Sequence, residues 1–231
     1  MKEQSIDIGD NLKLQVRIFE KGEQELIILH GWTGASEDWR PIMERLGQAC
    51  TCISWDQRPY FTQQSSIEKM AQDVHHVIRS VCKNKPIILG HSMGAVVAWE
   101  YIKQFGCSEI EKLIIVDMTP KMIVDDEWRL GIYRSYTQDD DNLFIKECRD
   151  DFIWRVGELI INGKTLTPEQ KDKMREGELM AIRQQRLSNL DQKAWLDGWS
   201  SFVNNDYRDT LKTISVPTLL CFGTDSNFYG P

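Results

Sequence analysis

Among the 231 residues there is no apolar run near the roughly 18 that a helix needs to cross a membrane. The opening residues, from Met1 to Ile8, are too polar and acidic for the apolar centre of a signal peptide. Positive charge is also short: 28 Lys and Arg stand against 35 Asp and Glu, a formal net charge of -7. Such a surface repels phosphate backbones, which disfavours nucleic acid and anionic membranes as partners and leaves small-molecule substrates open. Six cysteines, at 50, 52, 82, 107, 148 and 221, form no Cys-x-x-Cys pair and no Cys/His cluster. They read as free thiols of a reducing compartment, with no metal site, and the expected location is cytoplasmic. Low-complexity linkers and internal repeats are absent as well. With 41% hydrophobic and 27% charged residues, the chain suits one globular domain or a core with an insertion.

The first half alternates short β-rich runs with helical patterns. Leu12 to Phe19 alternates apolar and polar residues, and pairs with Ser5 to Ile8 across Gly9-Asp10-Asn11. Four almost wholly apolar runs follow, Leu26–Leu29, Cys52–Trp55, Ile87–Leu89 and Leu113–Val116, and a fifth is Thr218–Phe222. Runs this continuous point to parallel strands covered on both faces. Ile67, Met70, Ala71, Val74, Val77, Ile78 and Val81 recur at helical spacing behind Ser65 and Ser66, candidate N-caps. His75 and His76 are consecutive, about 100° apart on that helix, which suits metal binding poorly. The expected fold class is α/β, a doubly wound and mostly parallel sheet. From about 121 to 206 the strand runs vanish, while charge, Gln and Trp take over. This stretch is expected to be a helical insertion, with Thr167-Pro168 starting one helix. Residues 1–120 and 207–231 would form the core.

The chemistry lies at Gly90-His91-Ser92-Met93-Gly94, between an apolar strand and a helix-forming run. A serine hydroxyl is a weak nucleophile that must be raised toward a base, and a sharp strand-to-helix turn does this. The bare Gly-x-Ser-x-Gly pattern occurs by chance in about one chain of this length in twelve, so its context matters. A second glycine-containing loop, His30-Gly31-Trp32-Thr33-Gly34, follows an earlier strand, where a backbone N–H can face a developing oxyanion.

His30-Gly31-Trp32, Asp56-Gln57-Arg58 and Gly90-His91-Ser92-Met93-Gly94 resemble the α/β-hydrolase superfamily, clearly over about residues 25 to 120 and weakly again at Val216 to Ser226. The resemblance implies that fold with a helical cap over 121–206. Ser92 would be the nucleophile, the Trp32 and Met93 amides the oxyanion hole, and His30 a loop-orienting residue. One departure is Pro59-Tyr60-Phe61, where the family carries a glycine-rich stretch. By position the resemblance favours Asp117, at the end of the fourth apolar run, as the triad acid, with Asp225 as the alternative. Asp117 also reads as a turn-initiating residue before Thr119-Pro120.

The triad lacks its base, because the four histidines lie at 30, 75, 76 and 91 and none follows Ser92. Two explanations stand: a form lacking its C-terminal end, or a family member that lost catalysis. In the first case Thr218 to Phe222 would be an unpaired apolar edge prone to self-association. Phe152, Trp154 and Trp199 are candidates to line an apolar substrate pocket over Ser92. The expected activity is hydrolysis of a small carboxylic ester, thioester or lactone through an acyl-enzyme on Ser92, without cofactor. Carbon–carbon bond hydrolases and cofactor-free oxygenases of the same fold, or a non-catalytic binding protein retaining the pocket, are the alternatives. Nothing in the sequence bears on oligomeric state.

Overall fold

The computed structural model describes residues 1–47 and 49–229. The last two residues of the expected core, 230 and 231, lie outside this range. The chain opens with an antiparallel hairpin, β1 (Lys2–Asp7) and β2 (Lys13–Phe19). Its turn takes Gly9, Asp10 and Asn11 into positive φ, as short-side-chain turn residues allow. Next come β3 (Gln24–Leu29), α1 (Arg40–Leu46), β4 (Cys50–Trp55), α2 (Ile67–Val81), β5 (Ile87–His91), α3 (Met93–Phe105) and β6 (Lys112–Val116). Strand β7 (Thr218–Cys221) returns to the sheet about a hundred residues later. The order across the sheet is β1-β2-β4-β3-β5-β6-β7, parallel from β4 to β7 and antiparallel at the hairpin side.

Strand alternation sorts the apolar runs between two layers. Ile27, Leu29, Ile53, Trp55 and Ile88 face the main core with α2 and α3, while Leu26, Ile28, Cys52 and Leu89 meet Met43 of α1 on the other side. Helix α2 starts where Ser66 Oγ accepts the Lys69 N–H, and its stripe from Ile67 to Ile78 is buried. Each such side chain contributes roughly 1.5–3 kcal/mol. Coverage is less even than the apolar runs imply. On the α1 side Ile114 and Val116 are only partly buried, and at the β7 edge Leu219, Leu220 and Phe222 are 55%, 58% and 46% exposed. Leu219 pairs with Ile114 on the α1 side, which that one short helix does not cover as far as β7, whereas Leu220 pairs with Ile115 and is exposed on the opposite face. All six cysteines are free, and Cys52 and Cys148 are the fully buried ones.

Between β6 and β7 lie helices α4 (Gln138–Asp150), α5 (Phe152–Asn162), α6 (Pro168–Arg175), α7 (Glu178–Ser188), α8 (Gln192–Val203) and the short α9 (Arg208–Leu211). Capping boxes at Thr137/Asp140 and Thr167/Gln170 fix the starts of α4 and α6, with Pro168 in the first turn of α6. This segment docks through aromatics. Trp199 packs 4.8 Å from Trp32 and 4.7 Å from Phe144, and Trp32 Nε1 donates to the Trp195 carbonyl at 2.8 Å.

Asp56, at the end of β4, accepts from the Ser36 N–H and hydroxyl, each at 2.8 Å, and from Arg17 at 3.1 Å. Burial alone would raise its pKa, but the Ser36 hydrogen bonds and the Arg17 charge outweigh it and hold the carboxyl below its ordinary value. The unfolded chain therefore binds this proton more readily, so the contribution is complete above the ordinary Asp pKa of about 3.9 and fades as pH falls below it. Urea melts at a series of pH values below about 5 should show a shallower loss of stability on acidification in Asp56→Ala than in the parent.

Candidate active site

Register brings distant segments together before any side chain is considered. Leu29 pairs with Gly90, His91 with Val116, and Val116 with Cys221, so the loops after β3, β5, β6 and β7 emerge side by side. This carboxyl edge is where parallel α/β sheets place their ligands. Two backbone bonds tie the loops there: Ser92 N–H donates to the Val116 carbonyl at 3.0 Å, and Asp117 N–H to that of Cys221 at 2.8 Å.

Ser92 sits between β5 and α3 with φ 52° and ψ -121°, a region L-residues avoid. The strain persists because the turn has no room to relax: a Cβ on Gly94 would lie 2.2 Å from the Leu29 carbonyl oxygen. Of seven described non-glycine residues with positive φ, three (Thr33, Ser92 and Asp117) line one cavity of about 690 Å³. Strain concentrated this way is common at functional sites. The Gly31 loop lies directly over the serine, since a Cβ on Gly31 would be 3.2 Å from Ser92 Cβ and 3.0 Å from His91 Nδ1. Met93 opens α3, so its amide has no intrahelical acceptor.

His30 is fixed in this loop. Its Nε2 accepts the Gln57 N–H at 2.9 Å, so Nδ1 carries the hydrogen donated to the Gly31 carbonyl at 2.8 Å. Burial lowers its pKa, and neither nitrogen is left to serve Ser92. His91 lines the cavity, edge-on to Trp39 at 5.8 Å. Burial lowers its pKa as well, partly opposed by Asp117 and assisted by Arg183.

Both candidate acids line the cavity. The Asp117 carboxylate accepts the Ser226 hydroxyl through Oδ2 at 2.9 Å, while its buried Oδ1 has no donor among the described residues. Asp225 is exposed. Its carbonyl accepts the Thr165 N–H at 3.0 Å, which ties the loop after β7 to the end of α5.

The three aromatic candidates separate. Trp199 lines the cavity beside Ile132, Val156, Leu159 and Phe202, and its Nε1 donates to buried Asp141 at 2.8 Å. Phe152 is buried 5.9 Å from Trp32, behind the wall. Trp154 does not line the cavity and is 53% exposed. Phe152, Val156 and Leu159 set the inward stripe of α5, and a residue two places after Phe152 points away from it. Arg183 also lines the cavity and lay hidden in a charge-rich run; the signal was its spacing from Met180 and Leu187.

The model of the Alpha/beta hydrolase family matches residues 26–230. The chain is 20% identical over 236 residues to Epoxide hydrolase 1 of Caenorhabditis elegans, covering 92% of this chain and 56% of that protein. It is 25% identical over 206 residues to the pimeloyl-[acyl-carrier protein] methyl ester esterase of Pectobacterium atrosepticum, covering 87% and 76%. The solved structure of an esterase from Exiguobacterium antarcticum superposes with a TM-score of 0.84 at 22% identity, covering 99% of this chain and 84% of that one. The chain spans 7%, 56% and 36% of the length of three of its curated relatives.

Proposed function

Since the chain belongs to the alpha/beta hydrolase family, we propose that it is a serine hydrolase of a small carboxylic ester, thioester or lactone, with Ser92 as nucleophile and residues 121–206 as the cap over the site. The carrying observation is the strained Ser92 turn, which lines a largely apolar cavity beneath the Gly31-Trp32 loop. Ser92 Oγ attacks the substrate carbonyl and gives up its proton to a base. The Trp32 and Met93 amides receive the oxyanion, and the alcohol or thiol departs with a proton. Water then attacks the acyl-enzyme and releases the acid. Asp117 suits the orienting carboxylate better than Asp225, because its Oδ1 is buried without a donor while Ser226 holds its other oxygen. The esterase names among the similar proteins agree with ester hydrolysis.

No histidine follows Ser92 in these 231 residues, so the test includes imidazole as an external base. Intact mass after a fluorophosphonate probe should show one adduct, absent in Ser92→Ala and formed faster as imidazole is added. A second reading is a binding protein that keeps the cavity. No adduct with or without imidazole would favour it.

A further inference from the structure

Helix α7 presents one buried stripe: Met180 and Leu187 are buried, while Leu179 and Ile182 on other faces are 84% and 57% exposed. Arg183 is three residues after Met180 and four before Leu187, so it shares the inward face, at a position where an apolar side chain would be expected. It lines the cavity together with Gly31, His91 and Ser92. Among the described residues Arg183 makes no hydrogen bond or ion pair. The nearby carboxylate of Asp38 is engaged by Arg186 at 2.6 Å and by the Ala35 N–H at 3.0 Å. Arg186 in turn keeps a buried Nε without a partner. Burial and the like charge of Arg186 disfavour the Arg183 cation, against a smaller pull from Asp38, yet a guanidinium cannot escape by losing its proton. Of the cavity's own carboxylates, Asp117 is held by Ser226 and Asp225 stands exposed on the loop after β7. The cavity thus holds a half-buried cation that pairs with no carboxylate among the described residues.

We propose that Arg183 receives a carboxylate carried by the substrate, so that the Ser92 site prefers esters, thioesters or lactones bearing a second, anionic carboxylate; this rests on the hydrolase reading above. A guanidinium offers two parallel N–H donors that match a carboxylate. The apolar wall formed by Val156, Leu159, Trp199 and Phe202 accommodates the carbon chain between that group and the reacting carbonyl.

The test is binding, which needs no turnover. Monomethyl glutarate and dimethyl glutarate differ by one charge and one methyl group, and calorimetry on the full chain compares them. The charged ligand should bind tighter by about tenfold or more, an advantage that falls with added salt. Arg183→Met and Arg183→Gln should both lose that preference while keeping affinity for the diester, and Arg183→Lys should keep part of it. O-Butyryl glycolate, with its carboxylate on the alcohol side, tells which half of the substrate Arg183 holds. Equal affinity for the two glutarates in the parent chain, or a preference that persists in both neutral variants, overturns the proposal. Fluorophosphonate labelling of Ser92 keeps the two readings apart. A labelled serine without charge preference leaves the hydrolase reading and removes this one, whereas charge preference without labelling keeps the contact of Arg183 with an anion and removes the substrate role built on it.

Discussion

Asp73→Ala is expected to lower stability by about 3–5 kcal/mol, the usual effect of breaking one half of a buried ion pair. Arg58 and Asp73 meet as a fork, Nε to Oδ2 at 2.8 Å and Nη2 to Oδ1 at 2.7 Å, with side chains 1% and 0% exposed. Removing the carboxylate leaves the guanidinium with one long bond to the Gln64 carbonyl at 3.4 Å. Native domains hold only about 5–15 kcal/mol in total, so the variant should unfold at much lower urea. The damage should also spread. Arg58 opens the turn that carries Tyr60, whose ring packs edge-on against Trp195 of α8 at 5.3 Å. The double variant Arg58→Met/Asp73→Leu should recover most of the loss, because two apolar side chains leave no uncompensated charge. A drop under about 1 kcal/mol in the single variant would mean that water reaches Arg58 and that the pair is not sealed.

The parts legible from sequence are those whose physics is local. Strand runs such as Leu26–Leu29 and Ile87–Leu89 declare themselves by continuous apolarity, the α2 stripe by its period, and Thr167-Pro168 by capping chemistry. The turn at Ser92 was visible because glycine spacing and its strand-before, helix-after context are both sequence properties. The uneven cover of the sheet was not visible, since a run such as Thr218–Phe222 reads the same whether one or both faces are packed. Trp154 and Trp199 illustrate a second limit. Each lies in a helix rich in apolar residues, and only docking against Trp32 decides which one turns toward the cavity. Asp117 and Asp225 both fit as the acid by position for a related reason: their strands are neighbours, so a separation of about a hundred residues shrinks to one hydrogen-bonded step.

Gly94→Ala should disable the nucleophile turn and the fold together. A Cβ there would sit 2.2 Å from the Leu29 carbonyl oxygen, 2.7 Å from its carbonyl carbon and 2.8 Å from its Cβ. None of these is the yielding end of a flexible side chain. Leu29 belongs to β3, which pairs with both β4 and β5 at the centre of the sheet, so α3 has to move instead. Overpacking of a core typically costs about 1–3 kcal/mol, and a rigid backbone contact puts this change at or beyond the upper end. Shifting α3 carries Ser92 and the Met93 amide with it, and near-attack geometry tolerates little displacement. Even under conditions where the variant stays folded, fluorophosphonate labelling of Ser92 should therefore be much slower than in the parent. Gly177→Ala is the control. It stands just before α7 at φ -75°, its added Cβ would meet nothing closer than 3.4 Å, and it should melt and label like the parent. Parent-like labelling by Gly94→Ala would mean that the close approach of α3 to β3 is not what holds Ser92 in its strained turn.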